Sequence, residues 1–230
     1  MADEFGGIEK RIGFSFSNKD ILREALTHRS FLNEHQEWTV PHNERLEYLG
    51  DAVIELIVTE YLYRKYPMSQ EGELTSFRAA LVNYQMMAKV AREILLDQSL
   101  FLSRGESRDV GKARDVILAN AFEALIGAIY LDGKYSAAAE FVERTLVSHL
   151  GTILESKSYK DPKSYLQEIV QEKEKLTPTY RVLSESGPDH RKNFIVGVFF
   201  GDRCVTQGEG TSKQEAESSA ARAALEMLEK

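Results

Sequence analysis

From Asn43 to Tyr66 the chain reads NERLEYLGDAVIELIVTEYLYRKY, and Pro67 follows. Apolar residues recur on nearly every side of this stretch. It therefore predicts one long helix, stopped by the proline and placed at the centre of a helical bundle. Polar residues on such a helix need a reason. At about 100° per residue Glu44, Glu47 and Asp51 fall within about 60° of one another, and carboxylates packed that closely repel unless something cationic lies between them. Arg45 adjoins Glu44 in sequence and so points elsewhere.

Working outward, Lys19 to Leu32 predicts a helix, with Ile21, Leu22, Ala25 and Leu26 at helical spacing. Asn33 to His42, with Pro41 and the only tryptophan, Trp38, reads as a loop. Leu74 to Leu96 predicts another helix, Ser103 to Lys112 a loop, and Arg114 to Leu131 a helix closed by Asp132-Gly133. Ser136 is placed to cap a further helix ending near Gly151. The polar segment ESKSYKDP, residues 155–162, reads as a linker. Beyond it the period changes. Lys163 to Lys175 is helical, whereas Thr179–Leu183, Asn193–Phe200 and Arg203–Thr206 alternate as strands, with Phe194, Val196, Val198 and Phe200 on one face. Ser212 opens an Ala-rich helix to Leu228, with Glu215 as its capping-box partner. The expected fold is an all-α helical domain followed by a small α+β domain of order α-β-β-β-α, a three-stranded antiparallel sheet packed on two helices. The expected boundaries are 7–155 for the first domain (motif-bearing core to about 134), 156–161 for the linker and 162–230 for the second.

Composition bounds the function. With 43% hydrophobic and 28% charged residues the chain is neither disordered nor membrane-like, and no apolar run approaches the roughly 20 residues that span a bilayer. The N-terminus carries no basic-then-apolar leader, and the lone Cys204 excludes an internal disulfide and fits a reducing cytosol. Net charge is −7, and residues 1–155 carry all of it, with 17 Lys+Arg against 24 Asp+Glu; the remainder has 12 of each. No domain is globally basic, so nucleic-acid binding would rest on local arrangement of charge.

Asn120 and Glu123, at i and i+3, sit in apolar company (Ile117, Leu118, Phe122, Leu125, Ile126) on the later helix. Two apolar helices each offering oxygen ligands at helical spacing can make a hard-cation site suited to Mg²⁺ or Mn²⁺. The same spacing is also that of an exposed acidic face near a helix start, where negative charge is mildly stabilising. Spacing alone leaves both readings open. His28 reads as a structural hydrogen-bonding residue rather than a base. Gly208-Glu209-Gly210 lacks the strand-loop-helix context of a nucleotide-binding fingerprint, so no nucleotide cofactor is expected.

His42-Asn43-Glu44-Arg45-Leu46-Glu47-Tyr48-Leu49-Gly50-Asp51-Ala52-Val53 resembles the signature of bacterial ribonuclease III. Thr27-His28-Arg29-Ser30 upstream and Ala121-Phe122-Glu123-Ala124-Leu125-Ile126-Gly127-Ala128 downstream resemble that family's motifs in the same order, and the resemblance covers essentially the whole chain. It implies a helical catalytic domain that forms homodimers in the cytoplasm. Its activity is Mg²⁺-dependent hydrolysis of both strands of duplex RNA, leaving 5′-phosphates and short 3′ overhangs, in rRNA and mRNA processing. It assigns Glu47, Asp51 and Glu123 to metal binding, with Asp51 and Glu123 catalytic. Glu44 and Glu71 become supporting acidic residues, although Glu71 also reads as a solvated turn residue. Asn120 departs from the family, which usually has aspartate here. An amide oxygen can coordinate Mg²⁺ but adds no charge and cannot act as a base. Asp115, five residues earlier and about 140° round the helix, cannot replace it.

The second segment resembles a double-stranded-RNA-binding domain. The resemblance assigns Gln167-Glu168 and the Gly187-Pro188-Asp189-His190 turn, with His190 its contact, to successive minor grooves. Lys213 would meet the phosphates between them. Where the family often has three basic residues, this chain has Lys213-Gln214-Glu215, which implies weak, salt-sensitive binding. Two other classes stay open: a duplex-RNA-binding protein whose cleavage Asn120 has weakened or abolished, and a helical phosphohydrolase of small nucleotides.

Overall fold

The computed structural model describes residues 5–108, 110–188 and 192–228. It divides into two compact units, Met1–Tyr159 and Lys160–Lys230. The first is helical: α1 (Gly6–Ile12), α2 (Lys19–Leu26), α3 (Arg29–Glu34), α4 (Glu44–Lys65), α5 (Glu71–Leu81), α6 (Tyr84–Glu93), α7 (Lys112–Thr145) and α8 (Leu150–Glu155). In the second, α9 (Pro162–Glu174) precedes strands β1 (Thr179–Ser186), β2 (Asn193–Phe200) and β3 (Arg203–Gly210), paired antiparallel in the order β1-β2-β3, and α10 (Lys213–Leu228) follows. The expected fold class is the one observed.

The helix buried all round is α7, not α4. From Leu118 to Ile129 only Asn120 and Glu123 on α7 escape full burial. On α4, Leu46, Gly50, Val53, Ile54, Ile57, Val58 and Leu62 face the core, but Tyr48, Leu56 and Tyr63 are 84%, 58% and 73% exposed. The apolar pattern of α4 thus serves two faces, one packed and one open. By length and composition Lys112–Glu155 could cross a membrane, but it forms the centre of this bundle, where α7 packs against α2, α4 and α6.

Three helix boundaries differ from the sequence reading. The predicted Lys19–Leu32 helix breaks at Thr27, which is extended and fully buried. It pairs with Phe101, donates through its hydroxyl to the Arg23 carbonyl (2.6 Å), and accepts from the Asn43 N–H (2.9 Å) and the Trp38 indole (3.1 Å). These long-range bonds outweigh the local helical pattern. The predicted Leu74–Leu96 helix breaks at Asn83. Its side chain closes α5 by donating to the Ala79 and Ala80 carbonyls and opens α6 by accepting from the Met86 N–H. The third difference is small: α7 consists of two helical segments that meet at non-helical Lys134 (φ 65°), close to the expected break at Asp132-Gly133, and Ser136 lies inside the second segment rather than capping it. Asp132 instead accepts from the Ser17 and Asn18 N–H groups, 2.8 and 3.1 Å away.

In the second unit Leu166, Val170, Val198, Phe200, Ala220, Ala221 and Ala224 form the core. Gly208 belongs to that packing: a methyl there would lie 2.6 Å from the Ala216 carbonyl oxygen of α10. Asp161 caps α9 through the Ser164 N–H (2.9 Å). Ser212 caps α10 through the Glu215 N–H (3.2 Å), and the Glu215 carboxylate accepts from the Thr211 N–H (2.8 Å). Strands β1 and β3 run longer than predicted, and Cys204 is exposed on β3.

Candidate metal centre and nucleic-acid interface

Helices α4 and α7 touch backbone to backbone where they carry acids. A methyl on Gly50 would lie 3.2 Å from the Glu123 Cα and clash with its carbonyl oxygen; one on Gly127 would lie 3.2 Å from the Gly50 nitrogen. Only glycine permits that approach. The crossing brings Glu47 and Asp51 from α4 against Asn120 and Glu123 from α7. Burial, then the charges of Asp51 and Glu47, push the Glu123 carboxyl up to about 7. Burial raises Glu47 as well, with Glu44 and Asp51 adding to it and a hydrogen bond to the Asn120 side chain opposing.

Glu44 is exposed at the start of α4 and does have a cationic neighbour, Arg29, with His42 also close. Arg29 Nη1 lies 3.5 Å from one of its carboxylate oxygens and His42 Nδ1 3.8 Å from the other. Sequence reasoning looked for a cation on the same helix and missed Arg29, which the break at Thr27 places at the head of α3. Arg45 does turn away and acts on Glu24 instead. His28 bonds Ser30 Oγ (2.8 Å) and lies 3.4 Å from Glu106, tying α3 to the loop ahead of α7. Glu71 is not brought into the cluster within one chain. It opens α5 beside Thr59 and Tyr63, and Thr59 lies about 18 Å along α4 from Glu47.

Among the described residues, no three His, Cys, Asp or Glu side chains form a closed metal cage. Asp51, Glu47 and Glu123 sense one another's charge without meeting at one point. The donor set nevertheless fits a hard divalent cation: three carboxylates and one amide on two rigid helices, close enough to penalise each other's ionisation. Rotation of the long Glu47 and Glu123 side chains is the adjustment that coordination requires.

In the second unit Gln167 and Glu168 are exposed on α9, and Glu168 pairs with Lys160 (2.9 Å). Lys213 is exposed at the start of α10, its ammonium 5.8 Å from the Phe194 ring centroid. His190 lies outside the described residues. Lys192 pairs with Glu185 (2.6 Å).

Residues 18–150 match the Ribonuclease-III-like family and residues 162–228 the double-stranded RNA binding motif. The chain is 44% identical over 223 residues to Ribonuclease 3 of Pelotomaculum thermopropionicum, covering 97% of this chain and 92% of that one. It is 43% identical to Ribonuclease 3 of Borreliella burgdorferi, covering 96% and 89%. The chain belongs to the ribonuclease III family. Members of this family are endoribonucleases specific for double-stranded RNA and are generally metal-dependent. The nuclease domain of ribonuclease III from Campylobacter jejuni, described as flexible in a region involved in dimer formation, superposes with a TM-score of 0.56 at 39% identity, covering 62% of this chain and 95% of that one. That ribonuclease III likeness accounts for the helical unit, and the RNA-binding motif for the α-β-β-β-α unit.

Proposed function

We propose that the chain hydrolyses the phosphodiester bonds of double-stranded RNA, with residues 7–155 as the catalytic domain and 162–230 as the duplex-binding domain joined by 156–161. The single observation that carries this reading is the glycine-lined crossing of α4 and α7, which sets Glu47 and Asp51 against Glu123, where burial first and their charges second hold the carboxyl up at about 7. Glu47, Asp51, Asn120 and Glu123 are the residues that would hold Mg²⁺, or Mn²⁺ in its place. The ion would supply charge neutralisation at a phosphate and a more acidic water, and the products proposed by family are 5′-phosphate and 3′-hydroxyl ends. Glu123 would act as a carboxylate toward the ion, because a divalent cation beside it favours the charged form that burial and its neighbours disfavour in the empty site. Asp51, exposed beside it, keeps a carboxylate oxygen available, and Asn120 donates to Glu47 and so orients it. Glu44 is proposed to support the same face, and Glu71 is proposed as a further acidic residue near the duplex.

A homodimer is proposed on the open stripe of α4: Tyr48, Leu56 and Tyr63, with Met68 at 93% exposure just beyond, form an apolar surface that a second copy would cover. Two copies would place two duplex-binding units on one RNA and two cleavage sites on its strands, giving short 3′ overhangs. Gln167, Glu168, His190 and Lys213 are the proposed duplex contacts. Processing of ribosomal and messenger RNA in the cytoplasm is the proposed role, by family.

Incubating a perfect RNA duplex with the protein in Mg²⁺ or in EDTA tests the reading. Cleavage in Mg²⁺ alone, into 5′-phosphorylated fragments, is the expected result. A gel shift without products would favour the second reading, a duplex binder in which Asn120 has removed the charge that cleavage needs.

A further inference from the structure

We infer that Arg29 is a phosphate-contact residue of the cleavage site, its guanidinium engaging a backbone phosphate of the duplex at the rim of the carboxylate cluster. The inference rests on the proposed cleavage of duplex RNA and adds a residue to it.

Arg29 is the first residue of α3, and its backbone position is fixed from both sides. Thr27 accepts from the Asn43 N–H (2.9 Å), and the His28 N–H donates to the Phe101 carbonyl (3.0 Å). These bonds tie the head of α3 to the head of α4, where Glu44 and Glu47 begin the acidic row. The side chain itself is 71% exposed, with Nη1 3.5 Å from the Glu44 carboxylate. Its charge also reaches Glu106 on the loop leading to α7. The guanidinium thus stands between the two elements that flank the site, open to water.

An RNA phosphate approaching Glu44, Glu47, Asp51 and Glu123 meets four acids. One divalent ion offsets two of those charges, so a further cation at the rim is needed for the polyanion to settle. Of the other basic residues near this face, Arg45 points toward Glu24, His42 Nδ1 is buried 3.8 Å from Glu44 without a hydrogen-bond partner, and His28 is bonded to Ser30, so Arg29 is the guanidinium placed at the acidic row. The Arg29–Glu44 pair is exposed, and exposed ion pairs are weak, so the guanidinium can leave Glu44 at little cost. It can then make paired N–H···O bonds to a phosphate, which an ammonium cannot reproduce.

The test uses the full chain carrying Glu123→Gln to stop cleavage. Binding to a perfect duplex is measured by fluorescence anisotropy between about 50 and 200 mM salt, with and without Arg29→Ala. The expected result is about tenfold weaker binding and a salt slope shallower by about one per copy, with an unchanged melting temperature. Arg29→Lys should restore the slope but not the full affinity. In the cleaving background, Arg29→Ala should raise KM more than it lowers kcat. Unchanged affinity and slope in Arg29→Ala would overturn the inference while leaving duplex cleavage standing. So would an effect confined to the Mg²⁺ requirement, which would make Arg29 only the counter-ion of Glu44. A parent chain with no duplex binding at all would overturn the cleavage reading and this inference together.

Discussion

Gly50 of α4 lies against the main-chain carbonyl of Glu123 on α7, so the backbone of one helix touches the residue proposed to act at the site on the other. Glu47 precedes Gly50 by three residues and Asp51 follows it by one. The distance between the helices at this point therefore sets the distance between acids. The same contact explains how burial and like charge together reach Glu123.

Replacing Gly50 by alanine should push the helices apart at the site. The expected cost is about 1–3 kcal/mol of stability, the range for an overpacked core. Displacement of Glu123 by even 1 Å should lower kcat by up to about 100-fold. Gly72→Ala is the matched control, since nothing lies within 4 Å of a methyl there. Thermal melts and duplex cleavage assays on both variants check this; equal behaviour of the two would remove the crossing from the account of the site.

Asn120→Asp should act in opposite directions with and without metal. It removes the amide N–H that steadies Glu47 and adds a fourth negative charge beside Glu47, Asp51 and Glu123. In EDTA the variant should melt lower than the parent. In Mg²⁺ it should reach half-maximal cleavage at a concentration several-fold lower, because a charged oxygen replaces a neutral one. A Mg²⁺ titration of cleavage beside a melting curve separates the two effects, and superimposable Mg²⁺ curves would mean that position 120 does not face the ion.

Much of this was legible in the sequence because helical periodicity is local. The span of α4 and the placement of Asn193–Phe200 as β2 follow from side-chain pattern within a few turns. So does the shared face of Glu44, Glu47 and Asp51. What the pattern hid depends on contacts between distant segments. Thr27 leaves the helix because Phe101 and Asn43 bond it, and Asn83 ends one helix and starts the next with one side chain. Gly50 and Gly127 look like helix weaknesses until the opposing backbone is seen. Arg29 was invisible as a partner of Glu44 for the same reason, and the open stripe of α4 looked like a second core face because composition does not say which apolar side is covered.

The raised carboxyl of Glu123 gives metal-free stability a definite slope with pH. Its folded-state value of about 7 exceeds the ordinary 4.5, so the folded protein holds this proton more tightly than the unfolded chain does. Stability should fall as pH rises from about 4.5 to about 7 and level off above, by roughly 1–2 kcal/mol from this group once partial solvent exposure is discounted. Glu47 is raised in the same direction, so part of the slope belongs to it. In EDTA, the melting temperature of the parent relative to Glu123→Gln should drop across that window. A difference that grew with pH instead would have the wrong sign for a carboxyl held up by burial and neighbouring acids.

Lys213 is the one basic residue at the head of α10, in Lys213-Gln214-Glu215, so duplex capture by the second unit should depend on it heavily. Lys213 is exposed in the first turn of this helix, an end that favours a phosphate. Lys213→Ala should weaken binding of the full chain to duplexes of unrelated sequence by a similar factor and reduce the salt slope by about one per copy. Cleavage at saturating RNA should be little changed, because the acids on α4 and α7 are untouched. Duplex binding measured against salt, with kcat measured beside it, checks both halves: a loss that varied with sequence would point to base contacts, and an unchanged slope would take Lys213 off the phosphate backbone.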